Sequence, residues 1–148
     1  MGFHRIVVGT DGSESATQAV IHASRLATAF GATVEIVCGF QPPDPREIAR
    51  WIQEAPSDLV GRISGTAAAE QVVEKALEVA TAEGAKAEAR FEEGDPAELL
   101  IEAAERSGAE LIVVGNKGMS GVKRFLLGSV PNKVSHHAPC DVLIVQTT

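Results

Sequence analysis

The stretch Leu111-Ile112-Val113-Val114-Gly115-Asn116-Lys117-Gly118, followed after nine residues by Gly128-Ser129, decides how this chain folds. Four consecutive apolar residues suit a strand covered on both faces, and the glycines that end it let backbone come close to whatever lies beyond. Bare amides, a hydroxyl and the cations Lys117, Lys123 and Arg124 then gather at the end of a buried strand. A phosphate-bearing ligand requires that combination.

Upstream, Ile6-Val7-Val8-Gly9 is a second short apolar run ended by glycine. Behind it Ala16, Ala19, Val20, Ala23, Leu26, Ala27 and Phe30 recur at three- and four-residue spacing. This is strand, turn and amphipathic helix, and Gly31 stops the helix. Thr33–Phe40 supplies Val34, Ile36, Val37 and Phe40 to a second strand. The four prolines and mixed charges of 41–56 predict a loop with at most one helical turn over 48–52, in which Trp51 reads as an anchor. A long helix is expected over 62–83, with Ala69, Val72, Val73, Ala76, Leu77 and Ala80 on one face and Gly84 as its stop.

Lys86, Glu88 and Arg90 alternate with Ala87, Ala89 and Phe91, the period-two pattern of an edge strand with one wet face. Asp95-Pro96-Ala97-Glu98 reads as a helix start capped by Asp95, after which Leu99, Leu100, Ala103 and Ala104 face the core. Val142-Leu143-Ile144-Val145 is the last strand. Strands alternating with helices, joined by right-handed crossovers, predict one domain over 1–148: a doubly wound α/β fold. Its five-stranded parallel sheet carries helices on both faces.

In such sheets ligands bind beyond the carboxyl ends of the strands, where the strand order reverses. Gly9-Thr10-Asp11-Gly12-Ser13, after the first strand, is therefore the counterpart of the glycine stretch after the fourth. Asp11 can accept a hydrogen bond from a ligand's amine or hydroxyl, and equally suits a turn or helix cap in Asp-Gly-Ser. Each glycine alone equally suits a turn. Ser129 is expected to cap the last helix, with Val130 and Pro131 in its first turn and its hydroxyl free to serve the helix amides or a phosphate oxygen.

The formal net charge of -7, with no block of Lys or Arg, disfavours nucleic acid and anionic lipid. No run approaches the ~20 apolar residues of a membrane span. Met1-Gly2-Phe3-His4-Arg5 runs straight into a strand, so no signal peptide is expected. Cys38 and Cys140 are too few for a disulfide framework and lack zinc spacing; both are expected reduced, in the cytoplasm. The usual hydrolase and dinucleotide motifs are missing, and His136 and His137 fall late in the last helix, where histidine suits the dipole. The reading therefore assigns no catalytic residue and no metal-ligand set.

Val8-Gly9-Thr10-Asp11-Gly12-Ser13, Gly94-Asp95-Pro96 and the Gly115-x2-Gly118-x9-Gly128-Ser129 pattern resemble the universal stress protein family, and the last matches the signature of its ATP-binding branch. The resemblance spans essentially the whole chain and implies an adenine nucleotide α-hydrolase-like fold, with the strand order 3-2-1-4-5. It implies Asp11 at the adenine, Gly115 and Gly118 at the ribose and phosphates, and Gly128, Ser129 and Val130 at the phosphate tail, with Mg2+ bridging phosphate oxygens. Gly9, Thr10, Gly39 and Asn116 complete the candidate set. Where the family's second strand ends in an aliphatic residue whose backbone supports the adenine, this chain has Gly39, between Cys38 and Phe40.

ATP is the expected ligand, with AMP and cyclic AMP as alternatives. The implied role is a stress-response sensor or nucleotide-dependent regulator, with slow ATP hydrolysis or autophosphorylation at most. A homodimer is expected through Val142-Leu143-Ile144-Val145, a bare apolar edge in a monomer. A receiver domain also has a five-stranded parallel sheet with an acidic cluster after its first strand, but its third strand must end in a phosphoacceptor aspartate, and here that strand ends Phe91-Glu92-Glu93.

Overall fold

Ile6, Val7 and Val8 are fully buried, which places the first strand in the middle of the sheet rather than at its margin. The computed structural model describes residues 2–41, 45–54, 65–116 and 128–147. Along them run β1 (Arg5–Gly9), α1 (Glu14–Phe30), β2 (Thr33–Phe40), α2 (Pro45–Glu54), α3 (Gly65–Ala82), β3 (Lys86–Glu93), α4 (Pro96–Ser107), β4 (Leu111–Gly115), α5 (Ser129–His137) and β5 (Asp141–Val145). The strands pair in parallel in the order β3-β2-β1-β4-β5, as the resemblance implies. Lys117, Gly118, Lys123, Arg124 and the expected helical residues 62–64 lie outside the described residues.

The two faces are wound separately. Ile6, Val8, Val34, Ile36 and Val113 pack against Ala19, Val20, Ala23 and Ala27 of α1 and Ala76 and Ala80 of α3. Val7, Val37, Ile112 and Val114 pack against Leu99, Leu100, Ala103 and Ala104 of α4 and Val134 of α5. The many alanines bring the helix backbones close to the sheet, so side chains of modest size suffice to fill the layers. Among the described residues no helix is long and apolar enough to cross a membrane.

Helix ends follow the local signals. Ser13 caps α1 by accepting from the Ala16 amide at 3.1 Å, and Gly31 closes the helix at φ 70. Asp95 caps α4 by accepting from the Glu98 amide at 3.0 Å, with Pro96 in the first turn. The segment 45–54 corrects the expected single turn: it is a ten-residue helix. Pro45 is not a breaker there because it stands first, where its missing N–H loses no helical hydrogen bond.

The sequence reading missed a charge cluster at the amino end of the sheet. Glu35, in an otherwise apolar strand, is buried. Its Oε2 accepts from Arg5 Nη2 and Nε at 3.2 and 3.3 Å, while Arg90 Nε and Arg106 Nη2 stand 3.3 and 3.7 Å from its Oε1. Arg5 also donates to Glu88 at 2.7 Å. Period two places Glu35 on the α4 side of β2, and the arginines that balance it come from three separate elements, so no local pattern announces it.

Glu110, just before β4, takes the His4 ring at 2.7 Å and the amides of His4 and Arg5 at 3.1 and 2.9 Å. These donors, the His4 ring first, hold its carboxyl down at about 2, from 4.5. A carboxylate with a depressed folded pKa stabilises the fold above its unfolded value and loses that contribution as pH falls through the folded one. Stability should therefore decline between about pH 4.5 and pH 2 with a slope that Glu110→Gln reduces, read by urea unfolding across that range. An identical slope in the variant would refute the assignment.

Candidate functional site

At the carboxyl ends of the strands, where the order reverses between β1 and β4, lies a cavity of about 290 Å³. Gly9, Thr10 and Asp11 enter it from the end of β1, Val37 and Gly39 from β2, and Val114 and Gly115 from β4. Gly128, Ser129, Val130 and Pro131 form the α5 side, and Pro96 and Leu100 the α4 side. The structure thus brings together all the sequence-derived candidates except two. Gly118 lies outside the described residues, and Asn116 is not among the residues that line the cavity.

Glycine matters at this mouth mainly for closeness. A Cβ on Gly115 would stand 2.8 Å from Ser15 Oγ and 3.2 Å from the Ser15 carbonyl, and one on Gly39 would stand 2.8 Å from Pro96 Cα. Neither residue has a positive φ. Gly39 is therefore where α4 lands on β2, and its smallness is a packing requirement that also leaves the strand end open to the cavity.

The polar side chains divide by what already occupies them. Thr10 is committed: its N–H donates to the Val37 carbonyl at 3.0 Å and its Oγ1 accepts from Gly12 N–H at 3.2 Å, bracing the ends of β1 and β2. One oxygen of Asp11 accepts from the Ser13 amide at 2.9 Å, the turn arrangement that Asp-Gly-Ser suggests. Its other oxygen has no partner among the described residues and stands exposed at the rim.

At α5 the expected cap is corrected. Gly128 is the N-cap, held extended at ψ 165 with its N–H on the Asn116 carbonyl at 3.1 Å, and no side chain among the described residues caps the helix. Ser129 consequently stands at the first helical position, exposed. The Ser129 and Val130 amides have no acceptor among the described residues, and Pro131 has no N–H to offer. Two amides without an acceptor among the described residues thus stand at the positive end of the α5 dipole, on residues that line the cavity, and such amides can hold an anion.

Sequence reasoning missed the apolar part of the lining: Ala16, Val37, Pro96, Leu100, Val114 and Pro131. Each reads locally as core or cap, and only the convergence of five elements makes them walls of a slot. His136 and His137 are exposed in the last turn of α5, opposite the end that meets the cavity. Burial, then the Asp11 carboxylate, pushes the Cys38 thiol up, which disfavours the nucleophilic thiolate.

The model of the Universal stress protein family matches residues 2–146. Universal stress protein Rv1636 of Mycobacterium tuberculosis is 39% identical over 147 residues, covering 99% of this chain and 98% of that protein. Universal stress protein YxiE of Bacillus subtilis is 33% identical over 147 residues, covering 97% and 99%. A universal stress protein solved in complex with cAMP superposes with a TM-score of 0.73 at 34% identity, covering 100% of both chains. With a family match over nearly its whole length and the five-stranded order in place, this chain belongs to the universal stress protein family.

Proposed function

We propose that this protein binds an adenine nucleotide in the cavity between β1, β4 and α5 and acts as a nucleotide-dependent regulator in the response to stress. One observation carries the reading: the Ser129 and Val130 amides and one oxygen of Asp11, which have no partner among the described residues, flank a single apolar slot. A volume of about 290 Å³ is at the small end of ligand sites, roughly 300–1,000 Å³, and suits a nucleoside whose phosphates leave over the α5 amino end.

The intact Gly115-x2-Gly118-x9-Gly128-Ser129 pattern favours ATP, with Asp11 toward the adenine and Gly115, Gly118, Gly128, Ser129 and Val130 toward ribose and phosphates. Asp11 is the one acidic side chain among the described lining residues, so Mg2+ would be held chiefly by the phosphates themselves. Cyclic AMP is the second reading, favoured by the related protein solved with that ligand. Among the described lining residues Asp11 is the one ionisable side chain, and this reading assigns it to the adenine, so the chemistry is binding and hydrolysis is slow at most. Two free thiols suit a reducing, cytoplasmic setting.

The test is to denature freshly purified protein, identify any released small molecule, and titrate stripped protein calorimetrically with ATP and cyclic AMP. Tighter binding of ATP is expected. Preference for cyclic AMP would move the assignment to the cyclic nucleotide, and affinity for neither would end it.

The second copy of this chain is the partner we assign to β5. The two sheet edges are unlike: β3 presents Lys86, Glu88, Arg90 and Glu92, charges that discourage pairing, whereas β5 presents Val142, Leu143 and Ile144, with Leu143 36% exposed. Among the described residues nothing pairs with the outer side of β5. Sedimentation equilibrium should give a dimer at micromolar concentration and a monomer for Leu143→Lys. A monomeric parent would remove the proposal.

A further inference from the structure

Asn116 follows β4 at the mouth of the cavity, yet its side chain is turned to the other end of the chain. Asn116 Oδ1 accepts twice from Thr147, from the backbone N–H at 3.2 Å and from the hydroxyl at 2.8 Å. An amide N–H can only donate, so the oxygen of the Asn116 side chain must be the atom facing Thr147. Because the Thr147 hydroxyl spends its proton on Asn116, the Ser15 hydroxyl is the donor in the 2.9 Å contact between Ser15 Oγ and Thr147 Oγ1. The absent Cβ of Gly115 makes room for Ser15 at that point.

The backbone of Asn116 is committed as well. Its N–H donates to the Val145 carbonyl at 2.9 Å, and its carbonyl accepts from the Gly128 N–H at 3.1 Å. A single residue therefore joins β5, α1 and the N-cap of α5. The order of the relay is Ser15, Thr147, Asn116, Gly128, and the next two residues are the cavity-lining pair whose amides have no acceptor among the described residues.

We propose that Asn116 is a positioning residue, and that through it the hydroxyls of Thr147 and Ser15 set where the amino end of α5 stands, so that a residue two positions beyond the edge strand controls affinity for the phosphate of the ligand. This rests on the nucleotide reading above. It changes the role of Asn116 from a ligand contact to the support of one, and it places that support immediately beside β5, where a second copy would pair.

Thr147→Val removes the hydroxyl at nearly constant shape, and Thr147→Ser keeps it. Two readouts separate the relay from the binding reading: hydrogen exchange of the Gly128 amide in ligand-free protein, and the dissociation constants for ATP and cyclic AMP. In Thr147→Val the Gly128 amide should exchange faster and both nucleotides should bind roughly tenfold more weakly, the usual scale for losing hydrogen bonds of this kind, with Thr147→Ser restoring both values. Ser15→Ala, which loses only the outer bond, should move both readouts in the same direction by less, and serves if Thr147→Val folds poorly. Unchanged Gly128 exchange would overturn the relay whatever the protein binds. Faster exchange with unchanged affinity, or no rescue by serine, would overturn its role at the site. Failure of the parent protein to bind either nucleotide would overturn the binding reading, and the affinity claim with it.

Discussion

Gly39→Ala should destabilise this protein by about 2 kcal/mol and lower its melting temperature by roughly 4–8 °C, the usual cost of overpacking in a chain of this size. The added carbon would stand 2.8 Å from Pro96 Cα and 3.0 Å from Leu99 Cδ1, and the first of these is backbone that cannot swing aside. The strain resolves only if α4 lifts from β2, and α4 carries Pro96 and Leu100 into the cavity. Nucleotide affinity should therefore fall along with stability. Gly31→Ala is the contrasting variant. Gly31 has φ 70 but nothing within 4 Å of an added Cβ, so its cost is conformational alone, about 1–2 kcal/mol, and the cavity should keep its affinity. Urea unfolding of the two variants, with nucleotide titration of each, separates them. A Gly39→Ala protein as stable as the parent would show that α4 does not press on this strand end.

Ser129→Glu should weaken ATP binding about 100-fold while leaving the fold as stable as before or slightly more so, since charges a few ångströms apart at a protein surface interact by a few kcal/mol and each 1.4 kcal/mol is tenfold. Ser129 is exposed at the first position of α5, without a capping role. A carboxylate there meets the positive end of the helix, which stabilises α5 by about 0.3–1 kcal/mol. It also competes for the amides offered to the ligand and repels the phosphates. Ser129→Ala should cost only a few-fold. Calorimetric titration and thermal melting give the two quantities, and binding in Ser129→Glu equal to the parent would exclude the α5 amino end as the phosphate site.

Much of this architecture was legible in the residues themselves. The three-and-four spacing of apolar residues gave α1. The Asp95-Pro96 pair gave the start of α4, and the alternation from Lys86 gave an edge strand, because periodicity and capping depend on covalent geometry within a few residues. The loop after β1 and the glycines around β4 marked the cavity, because in a parallel sheet with this order both must emerge at the same end. Less legible were effects with one partner near and the other far. Ser129 resembled a cap by composition, but the Asn116 carbonyl fixes Gly128 as the first helical boundary. Proline-rich 41–56 resembled a loop, but Pro45 opens α2.

The sequence by itself therefore determined the alternation of parallel strands and helices, the two helical layers and the end of the sheet where a ligand would enter. Only the tertiary structure decided that Gly39 is empty so that Pro96 can touch β2, that Glu35 is buried beside three arginines, and that Asn116 serves Thr147 thirty-one residues away. The physical reason is the range of the forces. Backbone geometry and solvent patterning repeat locally and can be read along the chain. A steric contact or hydrogen bond acts over about 3 Å and exists only once packing has brought its two distant halves together.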